Sequence, residues 1–141
     1  MEALGARLAQ CVHVPVMIFL RGPLGAGKTT LVRGFVRACG HQGSVKSPTY
    51  TLVESYSGRG RDIHHFDLYR LADAEELEYM GIRDYLSGGA VCLVEWPERG
   101  AGVLPGADLE LDLAYAGAER EVAVMAMSPE GGRIAACLRQ A

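Results

Sequence analysis

The residues best suited to chemistry run from Gly22 to Thr29, GPLGAGKT. They fit the pattern G-x-x-x-x-G-K-[ST], in which small residues let backbone N–H groups curl around a phosphate while a lysine and a hydroxyl reach its outer charges. Gly22, Gly25 and Gly27 permit backbone angles that a side chain would forbid. The spacing assigns Gly25, Ala26, Gly27, Lys28, Thr29 and Thr30 to phosphate contact, with the Thr29 hydroxyl placed to ligate Mg²⁺. Such a loop requires a strand before it and a helix after it. Val14 to Leu20 (VPVMIFL) is an apolar run of the length of a strand buried on both faces. TTLVRGFVRACG then places Leu31, Val32, Phe35, Val36 and Cys39 at helical spacing, with Arg33 and Arg37 on the other face and Gly40 as a stop. A helix starting there aims its free N–H groups and positive dipole end at a bound anion.

A loop holding Mg²⁺ and a nucleotide needs an acid from a neighbouring strand end. Glu95 closes a second continuous apolar run, Ala90 to Pro97 (AVCLVEWP), at the edge where open α/β sheets bind ligands; an ordinary exposed acid is the plainer alternative. Asp67 sits among apolar and aromatic neighbours, where a lone carboxylate is costly, so it is expected near the metal or in a salt bridge with Arg70 or another base. Ser47, Thr49 and Thr51 lie where a switch segment would follow the loop helix, or are simply strand-start hydroxyls. Trp96 either packs over the nucleotide pocket or anchors the sheet edge. Adjacent His64 and His65 point to opposite faces of a strand, so at most one joins Asp67, and a histidine metal site is disfavoured.

The remaining elements follow from pattern. EALGARLAQCV puts Leu4, Leu8 and Cys11 or Val12 on one face of a short packing helix. A strand is expected from about Tyr50 to Tyr56, a turn at Ser57 to Arg61, and a second strand in DIHHFDLYR, together an antiparallel hairpin. In that strand Ile63, His65, Asp67 and Tyr69 share one face and His64, Phe66 and Leu68 the other. Asp73 with Glu76 forms a capping box for a helix that Gly81 ends, and Ile82 to Leu86 adds a turn. Leu109 to Tyr115 alternates as a half-exposed strand, with Glu121 to Ser128 as its partner. The tail from Arg133 to Arg139 reads equally as a strand or a short helix.

At 141 residues the chain, 1–141, is expected to be one α/β domain, with no room for a large second substrate domain. A net charge of −3 gives no basic field to grip nucleic acid, so any RNA connection is expected to run through a partner. The four cysteines, Cys11, Cys39, Cys92 and Cys137, show no C-x-x-C pair and are expected as reduced, buried thiols. With no apolar run of membrane-spanning length and no signal-like start, the chain reads as soluble and cytoplasmic.

Several blocks together are more specific than the loop alone. GPLGAGKTTLVRGF, VKSPTYTLVESY, HHFDLYRL with EELEYMGIRDYL, and VCLVEWPERG, in that order, resemble the TsaE family of bacterial P-loop ATPases, over about Val16 to Gly106. The resemblance implies a P-loop NTPase fold, a three-layer α/β/α sandwich with a mixed central sheet. It implies an ATPase that uses ATP and Mg²⁺, returns ADP, and works with TsaB and TsaD, which assemble threonylcarbamoyladenosine beside the tRNA anticodon. The ATPase does not itself transfer the threonylcarbamoyl group, and tRNA is met only through the complex. By position, Lys28 matches the phosphate-contacting lysine, Thr29 the Mg²⁺ ligand, Glu95 the acid at the metal, Asp67 the aspartate of HFDLYR and Trp96 the tryptophan beside the metal acid. SPTYTL matches a switch-like segment and implies a role for Thr49. Pro23 stands where the family has an acid, and the chain starts after the segment that in the family precedes the first helix and helps hold the base.

Two other classes remain open on the residues alone. A small-molecule kinase would share the loop but needs an acceptor pocket and a lid, for which only Arg99 and the Gly100 to Gly106 stretch are available. A non-catalytic adaptor regulated by nucleotide occupancy would also fit. No N-K-x-D guanine-reading sequence follows the loop, which disfavours a GTPase.

Overall fold

The computed structural model describes residues 1–140. The chain runs α1 (Glu2–Cys11), β1 (Met17–Arg21), α2 (Lys28–Ala38), β2 (Val53–Gly58), β3 (Arg61–Asp67), α3 (Glu75–Tyr79), α4 (Ile82–Leu86), β4 (Val91–Glu95), β5 (Leu109–Ala116), β6 (Glu119–Ala126) and α5 (Pro129–Arg139), with a 3₁₀ turn at Pro97–Gly100. The strands form one sheet ordered β2-β3-β4-β1-β5-β6. Its centre, β3 through β5, is parallel, and β2 and β6 add antiparallel edges as hairpin partners. This is the mixed-sheet α/β architecture expected from the sequence.

Strand alternation divides the interior into two clusters. Ile18, Leu20, Ile63, Val91, Leu93, Leu109 and Leu111 pack towards α1, α2 and α5. Met17, Phe19, Phe66, Cys92 and Val94 face Leu77 of α3 and Ile82 of α4. The same alternation continues to the strand ends, so His65 and Asp67 follow Ile63, and Glu95 follows Leu93, onto the side that carries α2. Two registers complete the placement: Asp67 lies opposite Glu95, and Leu20 opposite Glu95 on its other side. The loop that begins at Gly22 therefore leaves β1 directly beside both acids.

Helix α1 fixes α2 from behind through a backbone-to-backbone crossing. A Cβ added to Gly5 would lie 1.9 Å from Leu31 O, and one added to Gly34 would lie 2.1 Å from Glu2 O. No side chain fits at either point. Glu2 also pairs with Arg33 and Arg37 at 3.9 and 3.5 Å, the two arginines that the helical pattern placed away from the core. Gly40 ends the helix region with φ 98°, where a glycine is needed.

Four expectations change in detail. The first strand starts at Met17 rather than Val14. Strand β2 starts at Val53, because Pro48 to Leu52 closes a turn with Leu52 N–H donating to Pro48 O at 2.8 Å. The ambiguous tail is a helix: Ser128 caps it by accepting from Gly131 N–H, Pro129 occupies the first turn, and Ile134, Ala135 and Leu138 are buried. Finally, Cys11 and Cys137 are not reduced thiols but a disulfide, with Cα atoms 5.8 Å apart across 126 residues of sequence. The pair forms where α5 docks beside the end of α1, Arg133 donating to Cys11 O and Arg7 to Leu138 O. Cys39 and Cys92 are free and buried, as expected, and burial pushes the Cys92 thiol up to about 11.

The surroundings of two helical glycines predict opposite effects of the same substitution. Gly5→Ala should lower stability by about 2 kcal/mol or more, since backbone must move. Gly132→Ala, in α5 with open space around its Cβ, should raise stability by roughly 0.5–1 kcal/mol through helix propensity. Urea denaturation of the two variants checks both signs.

Candidate active site

Lys28, His65, Asp67 and Glu95 are the buried polar or charged side chains among the described residues, and all four lie at one end of the sheet. Lys28, Asp67 and Glu95 line a cavity of about 380 Å³ together with Gly25, Gly27, Thr29, Thr30, Thr49 and Trp96, and with Leu24, Ser47, Tyr69 and Arg70, while His65 lies behind Glu95. The sequence-predicted residues are thus brought together, with Ala26 as the exception. Ala26 is buried in the core cluster, and its N–H donates to Pro23 O at 3.2 Å, so it shapes the loop from inside.

The loop is built as an anion cradle. Gly27 adopts φ 108° and ψ 15° at the start of α2, a conformation open to glycine. No side chain caps the helix, and its first intrahelical bond is Leu31 N–H to Gly27 O at 2.9 Å. The amides of Lys28, Thr29 and Thr30 consequently face the cavity without an intrahelical acceptor. Lys28 Nζ lies within this frame, donating to Gly22 O and, at 3.1 Å, to Pro23 O. It also stands 4.2 Å from the centroid of the Trp96 ring. Burial lowers its pKa, against the opposing pull of Glu95 and Asp67.

The acids occupy distinct settings. Glu95 Oε2 accepts from the Thr29 hydroxyl at 3.1 Å and from His65 Nε2–H at 2.6 Å. Asp67 accepts from the Thr49 hydroxyl at 3.2 Å and from Tyr69 N–H at 3.0 Å. It makes no salt bridge with Arg70, whose guanidinium instead lies 4.5 Å from the Tyr50 ring centroid. Burial, reinforced by the neighbouring Glu95 charge, raises the Asp67 pKa. Ser47 Oγ lies 2.7 Å from Thr49 Oγ1, tying the segment after α2 to Asp67. Trp96 holds φ 56°, a left-handed conformation unusual for a residue with a side chain, and packs at a tilt against Tyr69, ring centroids 5.0 Å apart. It lines the cavity and follows directly on the end of β4.

A model of the family described as threonylcarbamoyl adenosine biosynthesis protein TsaE matches residues 1–122. The chain belongs to the TsaE family. The TsaE of Haemophilus influenzae is 55% identical over 119 residues, spanning 84% of this chain and 75% of that protein. The TsaE of Bacillus subtilis is 38% identical over 112 residues, 79% of this chain and 70% of that one. The crystal structure of Bacillus subtilis YdiB superposes with a TM-score of 0.79 at 29% identity, covering 97% of this chain and 85% of that one. The P-loop NTPase fold agrees with TsaE membership.

Several site features of this TsaE-family chain escaped the sequence. His65 pairs with Glu95 rather than Asp67, a diagonal contact that depends on β3 lying beside β4. Tyr115 donates to Leu24 O at 2.9 Å and fixes the outer side of the loop from β5. Tyr69 and Arg70 follow Asp67 into the cavity wall. HFDLYR as a block was the available signal for the last two.

The setting of Asp67 predicts a stability effect with a definite sign. A carboxylate whose folded pKa is raised penalises folding while ionised, and the penalty fades as pH falls below that raised pKa and is gone below the unfolded-state pKa. Asp67→Asn should therefore raise stability at neutral pH by roughly 1 kcal/mol, and its advantage should shrink in acid. Thermal denaturation of both proteins between neutral and acidic pH measures this; an advantage that persists or grows in acid contradicts it.

Proposed function

We propose that this chain is a Mg²⁺-dependent ATPase that supports a TsaB–TsaD complex in threonylcarbamoylation of adenosine beside the tRNA anticodon. The observation that carries the reading is the uncapped start of α2, with its amides and Lys28 facing the cavity and the Thr29 hydroxyl bonded to Glu95. A phosphate chain fits such amides, and the oxygen donors Thr29, Glu95 and Asp67 suit a hard divalent cation. Among the described residues no cluster of three His, Cys, Asp or Glu stands ready to cage a metal unaided. A Mg²⁺ ion held through one or two protein oxygens plus phosphate and water matches that sparse set.

Each residue has a defined task. The amides from Gly25 to Thr30, apart from that of Ala26, receive phosphate oxygens. Lys28, held against two loop carbonyls, would offer its charge to the outer phosphates. Thr29 and Glu95 would hold the metal, which supplies charge neutralisation for the phosphates. Asp67, kept from full solvation and steadied by Thr49 and Tyr69, orients the attacking water. Trp96 shields the lysine and closes one side.

The partner reading rests on TsaE family membership. It accords with a net charge of −3 and with the absence, among the described residues, of a helix long and apolar enough to cross a membrane. The chain is read as cytoplasmic and as meeting tRNA only within the complex.

ATP hydrolysis should be slow with the chain alone and stimulated by purified TsaB–TsaD. Lys28→Ala should weaken nucleotide binding about 10-fold or more, the loss of a charge-assisted contact. At saturating Mg²⁺, Glu95→Ala should spare much of the binding but cut hydrolysis by about 100-fold. Normal turnover by Glu95→Ala would remove the metal-acid assignment. Firm nucleotide binding without stimulated hydrolysis would favour a kinase or an adaptor.

A further inference from the structure

His65 is the one buried polar side chain at the site for which the proposed reaction names no task. Its side chain is fully buried. Its Nδ1 is enclosed and has no hydrogen-bond partner among the described residues. The ring's single polar contact is Nε2–H to Glu95 Oε2, at 2.6 Å. A carboxylate only accepts, so the proton lies on Nε2. An apolar residue at this position would continue the face begun by Ile63 without leaving a ring nitrogen unsatisfied. The imidazole is there for the carboxylate.

The registers explain the reach. His65 lies opposite Leu93 and Asp67 opposite Glu95, so His65 approaches Glu95 diagonally from the interior of the sheet. Thr29 approaches from the first turn of α2. Both bonds fall on Oε2, which leaves Oε1 as the carboxylate oxygen without a hydrogen bond among the described residues.

We infer that His65 is a positioning residue: by holding Oε2 of Glu95 it aims the carboxylate at the cavity and sets the affinity of the site for a divalent cation. This inference rests on the proposed Mg²⁺-nucleotide reading of the same site. Histidine does not touch the nucleotide or the ion; it acts through Glu95. Outer partners of this kind are worth about 10- to 100-fold in metal affinity. A glutamine can place its amide N–H near the position of Nε2, whereas leucine fills the space with no donor.

The test is the Mg²⁺ dependence of binding a non-hydrolysable ATP analogue, measured by calorimetry at a series of Mg²⁺ concentrations. His65→Leu should raise the Mg²⁺ concentration needed for tight binding by about 10-fold or more, with binding in the absence of metal unchanged. His65→Gln should recover most of the parent's metal affinity. A parent-like Mg²⁺ midpoint in His65→Leu, or equal losses in Leu and Gln variants, would overturn the inference while leaving the proposed ATPase intact. No Mg²⁺ dependence in the parent would remove the metal reading and this inference with it. Nitrogen-15 NMR of the unsubstituted protein keeps the question open to test if His65→Leu fails to fold. The His65 ring should carry its proton on Nε2 and shift when Mg²⁺ joins the analogue; a proton on Nδ1, or no response to the metal, would overturn it.

Discussion

Lys28, His65, Asp67 and Glu95 leave water together, and the rest of the structure is arranged around that fact. Burying one charge alone would be prohibitive, and burying two carboxylates side by side adds repulsion. The chain offsets this with donors of unequal kinds: a lysine ammonium within the loop, an imidazole N–H and a threonine hydroxyl on Glu95, and a backbone amide with a second hydroxyl on Asp67. The balance is incomplete, as the raised pKa of Asp67 and the lowered pKa of Lys28 both register. A bound cation and phosphate would complete it. A site that is costly without ligand and neutralised with it gains binding free energy and holds its groups in place for reaction.

Rigidity behind the loop makes this arrangement sustainable. The backbone contact of Gly5 with Leu31 and of Gly34 with Glu2 locks α2 against α1. The disulfide between Cys11 and Cys137 ties the far end of α1 to α5. On the sheet side, Tyr115 grips the loop at Leu24, so the cradle is held from the helix layer and from β5. The segment from Ser47 to Leu52 is secured more lightly, through Thr49 to Asp67 and the turn at Pro48. A segment so attached to a buried acid is suited to sense what the acid meets.

Much of this was legible in the sequence, for physical reasons. Lys28 and Thr29 were fixed by loop spacing, Glu95 by its place at the end of an apolar strand, and Asp67 by the conflict between its charge and its neighbours. Strand alternation also placed His65 on the face of Asp67. What it left hidden was partner choice, because hydrophobic pattern says which face a residue occupies but not which strand lies beside it. The bond of His65 to Glu95, the grip of Tyr115 on Leu24 and the Cys11–Cys137 disulfide all depend on strand or helix neighbours distant in sequence. Two local differences have local causes. The stretch from Arg133 leaves strand and helix equally open, and the Ser128–Pro129 start before it decides for a helix; the β propensity of Tyr50 and Thr51 yields to the turn opened by Pro48.

The central claim is that the loop, Thr29 and Glu95 form one Mg²⁺-nucleotide site. A crystal structure of the chain with Mg²⁺ and a non-hydrolysable ATP analogue tests it most directly. The account predicts phosphate oxygens on the amides at the start of α2, Lys28 Nζ turned from Gly22 and Pro23 to the outer phosphates, and the ion beside Thr29 and Glu95. A nucleotide bound elsewhere, or phosphates in the loop with the ion remote from both Thr29 and Glu95, would contradict it.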